Sequence, residues 1–129
     1  MIIAAIILFF AVLIWDVITD YRKFLNNQRI NHTYEGWIRA GLLIPSGVLF
    51  TLANVWWSFP IVACMMFYVW WLSFDGVYNK LTGQSFFHAG TTSKLDIMQK
   101  NWSTEFRAVV KIGGSILFVA AYILIKRLL

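Results

Sequence analysis

Between Phe59 and Phe74 the chain carries no charged residue, and three more stretches of the same character flank that one. The first starts at Met1 and runs IIAAIILFFAVLIW before meeting Asp16. The second runs from about Trp37 to Trp57, interrupted by Arg39 near its start and by Pro45. The last runs from Ile112 to Ile125, between Lys111 and Lys126-Arg127. A membrane span needs about 20 mainly apolar residues, or about 17 with snorkelling ends. Four spans are therefore expected, the second meeting that length easily and the third and fourth needing interfacial flanks, with three plus a re-entrant or tilted fourth as the alternative.

Composition excludes the other classes. The 129 residues are 60% hydrophobic and only 13% charged. A soluble domain is about 25% charged, and one this short must still hydrate most of its surface. The first stretch has no basic flank and no A-x-A-like cleavage site, so it reads as an uncleaved helix rather than a signal peptide. The lone Cys64 sits mid-span and reads as inert packing.

The basic residues suggest an orientation. Arg22, Lys23, Arg29 and Arg39 cluster at the first connection, and Lys80, Lys94, Lys100, Arg107 and Lys111 at the third. Only Lys126 and Arg127 lie at the far end. The positive-inside bias then places both long connections in the cytoplasm and both termini outward, in a bacterial inner membrane or a phage membrane. Trp15, Tyr34, Trp37, Trp70, Trp71, Phe74, Tyr78 and Trp102 fall at the same ends as that basic majority, as an aromatic belt would. The sequons at Asn31 and Asn101 lie on that side too and read as chance matches.

The expected architecture is all-α. It is a single membrane domain, 1–129, with helices at 1–25, 36–57 and 59–75, then a loop at 76–93. A basic amphipathic helix at 94–111 leads into a fourth span at 112–129. Asp16 and Asp20 stand one turn apart, Asn26-Asn27 suits a helix stop, and Glu35 to Arg39 has i, i+4 spacing with the acid first. Thr92 and Ser93 offer a helix N-cap, with Asp96 three residues after Ser93. From 94 to 111, Leu95, Met98, Trp102, Phe106 and Val109 form an apolar stripe, with Lys100, Arg107 and Lys111 opposite. A bend is expected at Gly113-Gly114. Gly41, Gly47, Gly113 and Gly114 are the candidate close-packing positions.

Catalytic and metal chemistry find little support. His32, Glu35, Asp75, His88 and Asp96 gather near one interface, but no second His follows at i+3 or i+4, and no H-E-x-x-H occurs. Asp75-Gly76 opens like the lipid-alcohol phosphotransferase motif, yet the further aspartates are absent. No catalytic residue, metal or cofactor is expected. Asp16 and Asp75, at the hydrocarbon edge, are expected to pair with Arg22, Lys23, Arg39 or Lys80.

Two segments resemble small polytopic membrane proteins of bacteroidete bacteria and their phages, a group with no established activity. One is Asn31-His32 with Glu35 and Arg39; the other is Phe74-Asp75-Gly76-Val77-Tyr78-Asn79 with Gly83, Gly90-Thr91-Thr92-Ser93 and Leu95-Asp96. The resemblance implies a phage or prophage context. The expected role is a non-enzymatic structural or assembly subunit, with a holin-like pore and an interfacial lipid enzyme as alternatives. The docking candidates are Arg22, Lys23, His32, Glu35, Arg39, Asp75, Asn79, His88, Lys100, Arg107 and Lys111. The expected partners are the lipid bilayer, anionic headgroups at the cytoplasmic face, and further copies or membrane-protein partners. Packaged nucleic acid is a remoter one.

Overall fold

The computed structural model describes residues 1–90 and 93–128, and among these the chain is helical with no strand. Helix α1 spans Ile2–Leu25, α2 His32–Leu52, α3 Phe59–Leu81, α4 Lys94–Gln99 and α5 Thr104–Leu128. A single 3-10 turn, Trp56–Ser58, precedes α3.

Local chemistry accounts for most boundaries. Arg22 and Lys23 occupy the last turn of α1, where cations suit the carbonyl end. Asn27 then takes φ 52, a left-handed conformation that asparagine tolerates and that stops the helix. Asn31 caps α2, its side-chain oxygen accepting the Tyr34 N–H at 3.1 Å. Pro60 sits in the first turn of α3, where no amide partner is lost. Ser93 and Asp96 form a reciprocal capping box that starts α4. The other candidate cap, Thr92, lies outside the described residues.

Helix α3 is the central element, packing against α1, α2 and α5, while α1 also packs along α2. Toward the 53–58 turn the core consists of Ala5, Phe9, Phe50, Val62, Met65, Met66 and Tyr122. There Tyr122 donates its hydroxyl to the Phe50 carbonyl at 3.1 Å, and Ser46 donates its own to Ala5 at 2.8 Å. Toward the opposite end a smaller cluster joins Leu13, Val17 and Phe74.

The outward surface is apolar. Ile3, Ile7, Ile14, Ile44, Ile116 and Leu117 are all more than half exposed, a pattern a water-facing surface rarely carries. Three segments are long and apolar enough to cross a membrane: Ile2–Leu25, Trp56–Leu81 and Thr104–Leu128. At about 1.5 Å per residue each exceeds a hydrocarbon core of about 30 Å. Four spans were expected, and α2 is the one that falls short. Glu35 and Arg39 lie in its first two turns. The uncharged remainder, residues 40–52, reaches only about 20 Å at about 1.5 Å per residue.

Three expected helices have other bounds. The one expected at 36–57 spans His32–Leu52, because Asn31 caps it four residues earlier and the chain leaves the helix before the 3-10 turn at Trp56. Helix α3 continues through residues 76–81, which were expected in a loop, and ends where Gly83 turns at φ 79. The helix expected over 94–111 is broken at residues 100–103, and α5 is continuous as a helix through Gly113-Gly114. The physical reason is that Ser103 starts a new helix, its hydroxyl accepting the Phe106 N–H at 3.1 Å.

The two glycines serve different ends. A Cβ on Gly114 would stand 2.2 Å from the Tyr68 ring, so its smallness lets α5 approach α3. A Cβ on Gly113 would meet nothing within 4 Å. Gly114→Ala is expected to destabilise the protein by about 1–3 kcal/mol through overpacking. Gly113→Ala is expected to be neutral or to stabilise by up to about 1 kcal/mol. Thermal unfolding of the two variants in detergent measures the contrast directly. Of the other packing candidates, Gly47 lies against Met66, whereas Gly41 has open space around it. Gly41 and Gly113 thus do not mediate close packing within this chain.

Candidate functional site

The end of the bundle away from the 53–58 turn is organised by two buried cations. Arg39 sits on the second turn of α2, 9% exposed. Its Nε donates to Asp16 at 2.6 Å, and one terminal nitrogen donates to Asp20 on the next turn of α1. The same nitrogen reaches Glu35, one turn back on α2, at 3.4 Å. Its guanidinium carbon lies 4.9 Å from the Phe74 ring centre and 5.7 Å from that of Trp70, both on α3. One side chain thereby joins three helices. Cation–π contacts of this kind strengthen when desolvated, to about 2 kcal/mol.

Lys111 joins α5 to α3 through a different pair of α3 residues. It is 1% exposed, and its Nζ lies 2.6 Å from Asp75 and 4.9 Å from the Trp71 ring centre. Residues 70, 71, 74 and 75 thus form a two-sided hub. Trp70 and Phe74 receive the arginine of α2, and Trp71 and Asp75 receive the lysine of α5. Helical periodicity puts 70 with 74, and 71 with 75, one turn apart on neighbouring strips of the helix surface.

Lys23 completes the first cluster by pairing with Glu35 across the α1–α2 connection. Burial alone would raise the Glu35 carboxyl. The hydrogen bond from Lys23, with the charges of Lys23 and Arg39, outweighs that and holds it below its ordinary value. Asp16 and Asp20 are 3% and 2% exposed, and each leaves one buried oxygen with no partner among the described residues. A cleft of about 100 Å³ lined by Thr19, Lys23, Tyr34 and the carboxylates opens beside them.

The loop after α3 folds back onto the helix. Phe86 lies so close to Gly76 that a Cβ there would be 2.0 Å from the ring. Buried Asn79 donates to the carbonyls of Phe86 and His88 at 3.1 and 2.9 Å. Gly90 approaches the Asp96 carboxylate, and Gln99 of α4 is fully buried, with its amide on the Leu95 carbonyl at 3.0 Å. Residues 82–90, with α4 meeting them at Gly90, form a ledge on the end of α3.

The candidate docking residues therefore divide. Arg39, Lys111 and Asn79 are buried, and Lys23, Glu35 and Asp75 are drawn into ion pairs; none of these presents a free charge outward. Arg22 and Lys100 are exposed. His32 and His88 are half-buried on separate segments, at the start of α2 and in the folded loop. Arg107 is half-buried and bonds Thr104 at 3.1 Å. The expected stripe of Lys100, Arg107 and Lys111 is thus not a single face. The break at 100–103 shifts the helical phase between its members, and Lys111 points inward.

Of the expected partners for the edge carboxylates, Arg39 is the one Asp16 takes. Asp75 takes Lys111 instead. That pairing had a readable signal, because Lys111 opens the last apolar stretch at the depth where Asp75 closes the third. Gln99 and Trp71 carried no comparable sign. Among the described residues no group of three or more His, Cys, Asp and Glu is placed to hold a metal ion. Comparison of the chain with protein-family models, with curated proteins and with solved structures finds no match in any of the three.

Proposed function

We propose that this protein is a non-enzymatic structural subunit of a membrane assembly, docking through the ledge and the basic residues around it. The observation that carries the reading is how the charges at this end are divided. Arg39, Lys111, Asp16, Asp20 and Asp75, the groups a reaction would draw on, are spent on holding helices together. Arg22, Arg29, Lys80, Lys94 and Lys100 remain exposed, as do the apolar residues Ile97, Met98 and Phe106. A basic and apolar rim of this kind suits the headgroup level of an anionic leaflet and a protein partner seated there.

In this reading α2 crosses with the other three helices. Its one deep charge, Arg39, is neutralised within the bundle, and α1 and α3 cover its charged end. The basic end then faces the cytoplasm, and the resemblance to phage-associated proteins favours a virion membrane or a membrane-bound assembly intermediate.

The test removes the exposed charges without touching the buried ones. Lys80→Gln/Lys94→Gln/Lys100→Gln is expected to leave the unfolding temperature within about 2 °C, since exposed charges contribute little to stability. It is expected to lower, by about tenfold or more, the yield of the cross-linked oligomer or complex formed in native membranes, about 1 kcal/mol being at stake per charge. A wild-type protein that is monomeric and without a partner in those membranes would sink the proposal. Collapse of the membrane potential on induced expression would favour a pore instead.

A further inference from the structure

At the end near the 53–58 turn, α1 and α5 flank α3 and leave a groove between them. Its volume is about 550 Å³, within the range of about 300–1,000 Å³ usual for ligand pockets. The floor is Met65, Met66 and Val69 of α3, and Ile6 and Phe10 of α1 face Ile123 of α5 across it. The lining is apolar along its whole length, except where Lys126 and Arg127 close it.

Charge identifies the occupant. The chain has six Asp and Glu residues, and all of them belong to the opposite end: Asp16, Asp20, Glu35, Asp75, Asp96 and Glu105. Lys126 and Arg127 are thus two adjacent cations at the mouth of an apolar groove, with no side-chain carboxylate in that half of the molecule. In a bilayer the available counter-charge at headgroup depth is a lipid phosphate. Length agrees. The lining runs from Ile2 to Phe10 on α1 and from Val119 to Arg127 on α5. Each run covers about 12 Å at about 1.5 Å per residue. That approaches one leaflet's share of a hydrocarbon core of about 30 Å.

We propose that this groove binds one anionic phospholipid, with an acyl chain along α3 and the phosphate held by Lys126 and Arg127. The site stands independently of the docking proposed for the other end, and different residues test it. A second copy of the chain would bring two more cations to the same mouth and no side-chain carboxylate.

The experiment is native mass spectrometry of the full chain released from mild detergent, titrated with phosphatidylglycerol or phosphatidylcholine. The wild type is expected to retain one phosphatidylglycerol in preference to phosphatidylcholine. Lys126→Gln/Arg127→Gln is expected to weaken phosphatidylglycerol retention roughly thirtyfold, about 1 kcal/mol per cation converted to affinity. The charge-matched control Lys94→Gln/Lys100→Gln, at the other end, is expected to leave it unchanged. Ile6→Trp, which fills the groove from a partly exposed wall, is expected to abolish retention with helical content intact. Equal retention of the two lipids, equal loss in the control, or a cross-link from Cys placed at Ile6 to the same groove of a second copy would overturn the proposal. If the tryptophan variant fails to fold, the charge variants decide the matter alone.

Discussion

Arg39→Met is expected to prevent accumulation of the folded protein. The substitution preserves most of the volume but leaves Asp16 and Asp20, 3% and 2% exposed, with no cation between them. Removing one partner of a buried ion pair typically costs about 3–5 kcal/mol, and here one residue serves two deeply buried carboxylates. Native domains hold only about 5–15 kcal/mol in total. The informative comparison is the triple variant Asp16→Asn/Asp20→Asn/Arg39→Met, which removes both charges along with their partner. It should recover most of the lost stability, because neutral amides in the same space avoid the unpaired charge. Arg39→Lys separates charge from shape. The guanidinium reaches Asp16 through Nε and Asp20 through a terminal nitrogen, a fork that a single ammonium cannot reproduce. It should therefore lose at least about 1 kcal/mol while keeping the charge. Denaturant titration in detergent, followed by circular dichroism, ranks the three. If the triple variant is no better than Arg39→Met, the arginine contributes packing rather than neutralisation.

Lys111→Met is expected to cost about 3 kcal/mol, at the lower end of the range for breaking a buried pair. The reason for the lower end is Asp75, whose side chain is 20% exposed and so keeps part of its hydration. Asp75→Asn should cost more than its own exposure suggests, because it strands Lys111, which is 1% exposed. In the double variant the two losses should not add: a coupling of about 2 kcal/mol or more is expected from a double-mutant cycle. Additive losses would mean that the 2.6 Å contact contributes nothing as a pair. The Trp71 contact makes a second cycle possible. Trp71→Leu should lower the cost of Lys111→Met, since the 4.9 Å cation–π contact is then already gone.

What the sequence made legible was local. The Glu35–Arg39 spacing anticipates a contact that the structure places at 3.4 Å. Asn26-Asn27 does end α1 at Leu25. Ser93 and Asp96 form the box that their spacing suggests. Each of these depends on residues within a turn or two of one another, where helical geometry fixes the distance before any tertiary contact forms.

The features that stayed hidden depend on a neighbour. Periodicity places Lys111 on a face of its helix without saying whether water or α3 lies beyond that face. With the helix taken as continuous from 94, that face looked solvated; the break at 100–103 and the proximity of Asp75 reverse the answer. Gly113-Gly114 reads as a bend because glycine is a poor helix former. The reason for a glycine at 114 is Tyr68, 46 positions earlier, whose ring fills the space a Cβ would need. Gly76 likewise reads as the start of a loop, whereas its role inside α3 is to admit Phe86. The three helices long and apolar enough to cross a membrane were among the four expected, because length and apolarity are properties of a segment alone. The second stretch read as an easy span by length, yet α2 is the helix that falls short, its charged turns becoming tolerable only in company.

That company has a consequence for biogenesis. A first helix carrying two aspartates is poorly suited to partition into lipid alone, each carboxylate adding about 2.5–3.5 kcal/mol at the centre of a span and less toward its edge. Helix α2 brings the neutralising arginine, and Ser46 to Ala5 fastens the two helices a second time, near their opposite ends. The translocation machinery would therefore do best to retain α1 until α2 has been synthesised and to release the two as one hairpin. Helix α3 meets no such requirement at its apolar start, and α5 arrives last with Lys111 to close the remaining carboxylate. The order of synthesis and the order of charge compensation coincide.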